Sequence, residues 1–136
     1  MNIDYTPYFV YGTLKRGESR ENQWPYTPLK ILPAVTTGTL YDLGSYPALI
    51  ATGTDQIQGE LWFIADEHFA ETQAKLDTIE GYPTLYNRIR QTCITLDGQE
   101  YQATMYTYVE QSRLTDAMKV QANSAGYCCW NNQPSG

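Results

Sequence analysis

The chain has 136 residues, 42% of them apolar and 18% charged, with a formal net charge of -6 at pH 7; this suffices for one domain with its own core and is too short for two. The acidic balance, without any basic cluster, argues against nucleic acid and anionic membranes as partners, and no run is long and apolar enough to cross a bilayer. With no secretory layout at the N-terminus the reading is a cytoplasmic protein, and three cysteines, two of them adjacent at 128 and 129, read as reduced thiols rather than a disulfide framework or a zinc site.

Residues 1–7 are polar and end in Thr6-Pro7, a lead into a first strand at 8–12. That strand breaks into a loop, Gly12-Thr13-Leu14-Lys15-Arg16-Gly17. Glycine at position 12 allows a left-handed or tightly approached backbone, which would turn the amides of Gly12, Thr13 and Leu14 to a ligand. A strand that merely turns at a glycine is the plainer meaning, and the loop alone does not decide between them. Residues 15–28, with Pro25 and Pro28, read as a loop holding one helical turn. A second extended segment covers 29–43, where Val35, Thr37, Thr39 and Tyr41 alternate. Gly44 to Ile50 is a turn around a short apolar patch, and Thr52-Gly53-Thr54-Asp55 is a further turn. Residues 57–64 are apolar on both faces, as a central strand requires.

Asp66 is placed as an N-cap, and residues 67–80 hold neither glycine nor proline, so a helix is expected. Phe69, Gln73, Leu76 and Glu80 share one stripe, which ends the buried face in a carboxylate. Gly81 suits a C-cap and Pro83 blocks continuation, leaving Glu80 at the negative end of the helix dipole. Burial and dipole both raise its proton affinity, toward the range of about 6 to 7 in which a glutamate works as base or acid. Glu80 is therefore the first catalytic candidate. Helical periodicity equally permits a helix that frays before residue 80, with Glu80 in water.

Residues 86–96 and 99–109 flank Asp97-Gly98 as a hairpin. On its second strand Tyr101, Ala103, Met105 and Val109 form one face and Thr104, Tyr106 and Tyr108 the other. Arg88 and Arg90 share a face of the first strand, either solvated or paired with a carboxylate of the protein or of a substrate. A short helix is expected at 113–122 and a disordered tail at 131–136, after a single domain over 1–130 without repeat or linker.

Three blocks occur in order: Tyr11-Gly12-Thr13-Leu14 with Gly17; Leu40-Tyr41-Asp42-Leu43-Gly44 followed by Tyr46-Pro47-Ala48-Leu49; and Leu76-Asp77-Thr78-Ile79-Glu80-Gly81-Tyr82 followed by Tyr86 and Arg88. Together, over residues 8–109, they resemble the gamma-glutamylcyclotransferase-like family, which includes the AIG2-like proteins. The resemblance implies an α+β fold, a small mixed β-barrel with flanking short helices. It also implies a cavity lined by Tyr11, Gly12, Thr13 and Leu14, and a single catalytic glutamate at Glu80. Tyr106 matches the position of an aromatic hydroxyl near the ligand, although strand parity serves Tyr108 equally and ordinary sheet packing is the commoner role for either. The implied reaction releases 5-oxoproline from a small-molecule gamma-glutamyl amide, with no metal and no cofactor, in a monomer or homodimer. A non-catalytic binding or sensor protein on the same fold, and a related amide-bond or gamma-glutamylamine enzyme that uses the same residues on another leaving group, are the alternatives.

The remaining reactive side chains have quieter readings. His68 is the only histidine, so a serine or cysteine nucleophile would depend on it alone. Cys93 reads as a small core residue. Gly126 and Trp130 loosely resemble a glycine and tryptophan of the family, the Cys128-Cys129 pair matches nothing in it, and Asp42 reads as a turn carboxylate rather than a second acid.

Overall fold

The computed structural model describes residues 6–131. The polar lead before residue 6 and the expected tail from 132 onward lie outside them. Strands β1 (Tyr8–Val10), β2 (Lys30–Asp42), β3 (Pro47–Phe63), β4 (Tyr86–Thr95) and β5 (Glu100–Tyr108) close into a barrel in the order β1-β3-β2-β4-β5. It is mixed: β1 runs antiparallel to β3 and parallel to β5, the parallel seam resting on the single pair Tyr8↔Thr104. One helix, α1 (Phe69–Glu80), flanks it.

Two apolar layers result. One gathers Phe9, Leu40, Leu49, Ile57, Leu61, Cys93 and Met105. The other gathers Leu76 of α1 with Tyr8, Val10, Trp62, Tyr86 and Tyr106, and so packs the helix on the barrel wall. Leu76 is fully buried, worth about 1.5–3 kcal/mol relative to exposure. Phe69 stacks on Tyr8, and Gln73 accepts from the Tyr8 hydroxyl at 2.7 Å, so the stripe ending in Glu80 does face inward.

Three local expectations are corrected. Residues 47–63 form one strand, not two segments separated by a turn. Its pairing with β2 jumps from Thr39↔Ile50 to Gly38↔Asp55, so 51–54 are accommodated as an exposed bulge. Asp66 does not cap the helix: it opens a 3-10 turn, Asp66–His68, that leads into α1 without a side-chain cap. The helix expected at 113–122 is replaced by two 3-10 turns, Gln111–Arg113 and Asp116–Met118, followed by extended chain. The competing force is sheet pairing, because Lys119 bridges Tyr41 and the Val120 N–H donates to Leu40 O at 2.9 Å. Further on, Cys128 is held against β3 by bonds with Gln56 and Gln58.

Candidate active site

Where β1 ends, Gly12 brings the chain against Pro47; a Cβ at position 12 would stand 2.6 Å from Pro47 Cγ. Close approach, not a left-handed backbone, is therefore what this glycine provides. The turn is closed by Lys15 N–H donating to Gly12 O at 3.1 Å and Arg20 N–H to Thr13 O at 2.8 Å. Among the described residues the N–H groups of Gly12, Thr13 and Leu14 donate to no protein acceptor. Lys15 is itself buried, its Nζ donating to Trp130 O at 2.6 Å and to Asn131 Oδ1 at 3.2 Å.

Opposite this loop α1 ends. Gly81 takes φ +66°, Tyr82 N–H donates to Asp77 O at 2.9 Å and Gly81 N–H to Thr78 O at 3.3 Å, the double bond of a Schellman cap. The helix thus holds its form through Glu80 and stops there. Glu80, partly buried, lines a cavity of about 100 Å3 together with Tyr11, Gly12, Thr13, Leu14, Arg20, Tyr46, Pro47, Tyr86 and Tyr106. All six residues singled out from the sequence for the site meet on this cavity.

Burial pushes the Glu80 carboxyl up to about 7, with the Arg20 charge a partial offset. Burial raises Tyr11 and Tyr86 as well, and the Glu80 charge adds to both. Their hydroxyls are committed as donors, Tyr11 to Tyr106 O at 2.5 Å and Tyr86 to Pro47 O at 2.6 Å. What these phenols can offer a ligand is therefore lone pairs.

Between the two tyrosines that strand parity left open, Tyr106 lines the cavity, while Tyr108 packs edge-on against Tyr86 at 5.5 Å. The Tyr106 hydroxyl, however, donates to Asp77 Oδ1 at 2.6 Å. Arg88 is engaged in the same cluster, its Nε 2.9 Å from Asp77 Oδ1 and its guanidinium over the Tyr82 ring. Arg90 donates to Thr6. Arg20 escaped the sequence reading: nothing in a loop without periodicity tells which way a side chain points.

The remaining candidates stand elsewhere. Asp42 Oδ1 accepts from Gly44 N–H and from Trp130 Nε1, a turn carboxylate as expected. His68 stacks on Tyr26 at the start of α1, about 18 Å along the helix axis from Glu80. Cys93 is core, its thiol pushed up to about 12 by burial, and the three cysteines are free. Among the described residues no group of three or more His, Cys, Asp or Glu side chains is disposed to hold a metal ion. No helix there is long and apolar enough to cross a membrane.

Comparison with known proteins agrees with this architecture. The family described as "Gamma-glutamyl cyclotransferase, AIG2-like" matches residues 8–130. A Vibrio cholerae protein named "Putative gamma-glutamylcyclotransferase" is 38% identical over 109 residues, 78% of this chain and 84% of its own. Among solved structures, a mouse AIG2-like protein superposes with a TM-score of 0.61 at 20% identity, over 96% of this chain and 98% of its own. An Arabidopsis thaliana protein gives 0.63 at 18% identity, over 96% and 80%. At such identities the two structures speak for the fold alone. The family match spans nearly all of the described residues and both sides of the cavity, from the loop at Gly12 to the helix end at Glu80, and the chain belongs to the gamma-glutamyl cyclotransferase, AIG2-like family.

Proposed function

We propose that the protein is a cytoplasmic, cofactor-independent gamma-glutamylcyclotransferase with Glu80 as its single acid–base group. The observation that carries this reading is a cavity lined both by the Glu80 carboxyl, which burial pushes up to about 7, and by Gly12, Thr13 and Leu14, whose backbone N–H groups donate to no protein acceptor among the described residues. The gamma-glutamyl head of the substrate enters the cavity, where the lone pairs of Tyr11 and Tyr86 suit its amino group. Glu80 takes a proton from that amine, whose nitrogen attacks the substrate's own gamma-carbonyl carbon. A new C–N bond closes the five-membered ring, and the carbonyl oxygen becomes an oxyanion facing the amides of Gly12, Thr13 and Leu14. As the oxyanion collapses, the scissile C–N bond breaks and Glu80 returns the proton to the departing nitrogen. The products are 5-oxoproline and a free amine or amino acid. Because attack is intramolecular, the rest of the cavity need only hold the chain bent for closure.

The test is release of 5-oxoproline from a panel of gamma-glutamyl amino acids, gamma-glutamyl-epsilon-lysine, gamma-glutamylamines and glutathione, with native protein and Glu80→Gln. Loss of an acid–base group costs about 10²- to 10⁴-fold. Turnover by the native chain that falls this far in the variant supports the proposal. Equal turnover in both removes Glu80 from its role. A folded native protein that binds glutamate-like ligands without turning over any substrate is a binding module instead.

A further inference from the structure

Arg20 is the charged side chain of the cavity that the cyclisation leaves without a task. It sits on the loop between β1 and β2, fixed by its own N–H on Thr13 O, and its side chain crosses the end of α1 with Nη1 3.5 Å from Ile79 O. That distance is the outer limit of a hydrogen bond. Its charge acts on Glu80 and Tyr86 across the cavity, but among the described residues the guanidinium has no other hydrogen-bond partner and none of the ion pairs there includes it. A guanidinium carries five N–H donors in a planar fork, so most of them remain for a ligand.

Depth assigns the part of the substrate that Arg20 meets. Gly12, Thr13 and Leu14 are buried, whereas Arg20 is partly exposed, so the cavity deepens from Arg20 toward the loop amides. The glutamyl head goes to the deep end. The departing nitrogen, which receives its proton from Glu80, lies toward the mouth, and Glu80 directly follows Ile79, the residue whose carbonyl Arg20 overlies. In a gamma-glutamyl α-amino acid the carbon next to that nitrogen bears a carboxylate. In a gamma-glutamylamine there is none, and in the ε-linked lysine compound it stands at the far end of the side chain.

We infer that Arg20 forms a leaving-group subsite, pairing with the α-carboxylate of the departing amino acid, and thereby directs the protein to gamma-glutamyl α-amino acids over gamma-glutamylamines. This rests on the cyclisation proposed above. A planar fork and a carboxylate make a bidentate, charge-assisted pair, which a neutral alkyl group cannot replace.

Gamma-glutamyl-L-alanine and gamma-glutamylethylamine differ only in that carboxylate, and 5-oxoproline release gives kcat/KM for each. Values are compared on the plateau of each pH profile, so that a displaced titration of Glu80 does not enter. The native protein is expected to favour the alanine compound about 10- to 100-fold, the worth of a charge-assisted hydrogen-bonded pair. Arg20→Gln is expected to bring the ratio below about 3, and Arg20→Lys to keep part of the preference, since charge remains while the fork is lost. A native protein without the preference, or an Arg20→Gln ratio equal to the native one, overturns the subsite while cyclisation stands. So does an equal fall on both substrates, which assigns Arg20 to the glutamyl head. Release of 5-oxoproline from neither substrate by the native chain removes the cyclisation and the subsite with it.

Discussion

The Tyr106 hydroxyl and Asp77 Oδ1, 2.6 Å apart, tie strand β5 to the last turn of α1, one turn before Glu80. Asp77 is held a second time by Arg88, and the Tyr106 carbonyl holds the Tyr11 hydroxyl, so one residue braces both walls of the cavity. Tyr106→Phe removes the brace to the helix and keeps the ring and the carbonyl. Urea unfolding is expected to show a loss of about 1–2 kcal/mol. Steady-state kinetics on a turned-over gamma-glutamyl substrate are expected to show kcat reduced about 3- to 30-fold with KM nearly constant, the pattern of a misaligned base. A change in KM alone would instead make the phenol a direct ligand contact.

The pH profile follows from the Glu80 carboxyl near 7. A base acts only when unprotonated, so kcat/KM is expected to rise about tenfold per pH unit below about 7 and to level off above. Arg20 lowers the Glu80 value, so Arg20→Gln is expected to move that limb to higher pH. An acidic limb near 4.5, the ordinary carboxylate value, would mean that burial does not govern the group.

Stability carries the same signature with the opposite sign. The folded chain binds the Glu80 proton near 7 and the unfolded chain near 4.5, so the contribution is complete below 4.5 and is lost as pH rises through 7. Its full size is about 3 kcal/mol. Glu80→Gln has no proton to lose. Denaturant unfolding at about pH 5 and about pH 8 is expected to show the variant gaining on the native chain at the higher pH. A pH-independent difference would refute the linkage without touching catalysis.

Gly12→Ala places a methyl group 2.6 Å from Pro47 Cγ and 2.7 Å from Pro47 Cδ. Loop and proline ring must separate, at about 1–3 kcal/mol for such overpacking. Because the displaced loop carries the amides of Thr13 and Leu14, activity is expected to fall more than stability does. Thermal unfolding alongside kcat measures the two.

The most exact sequence expectations were those resting on local chemistry. Gly81 and Pro83 stop α1 at Glu80, and Asp97-Gly98 joins β4 to β5, because a left-handed cap or a tight turn needs those residues wherever the rest of the chain lies. Expectations failed where distant partners decide. Thr52-Gly53-Thr54-Asp55 has turn composition, yet pairing with β2 on both sides keeps it within β3. Residues 113–122 have helical content, yet Leu40 and Tyr41 draw Val120 and Lys119 into extended pairing. Likewise, the choice of Tyr106 over Tyr108 as a cavity residue depends on how the barrel closes around β5, which strand parity does not encode.

The bond from Lys15 to Trp130 joins positions 115 residues apart. Closing so long a loop adds only modestly to the entropic cost, yet contacts of this range form late in folding. On the ribosome, the segment that furnishes the amides of Gly12, Thr13 and Leu14 is made early and left unlatched until residues 128–131 have emerged. The loop is therefore made long before the residue that latches it, whereas every residue lining the cavity, from Phe9 to Tyr106, precedes Trp130 in the chain.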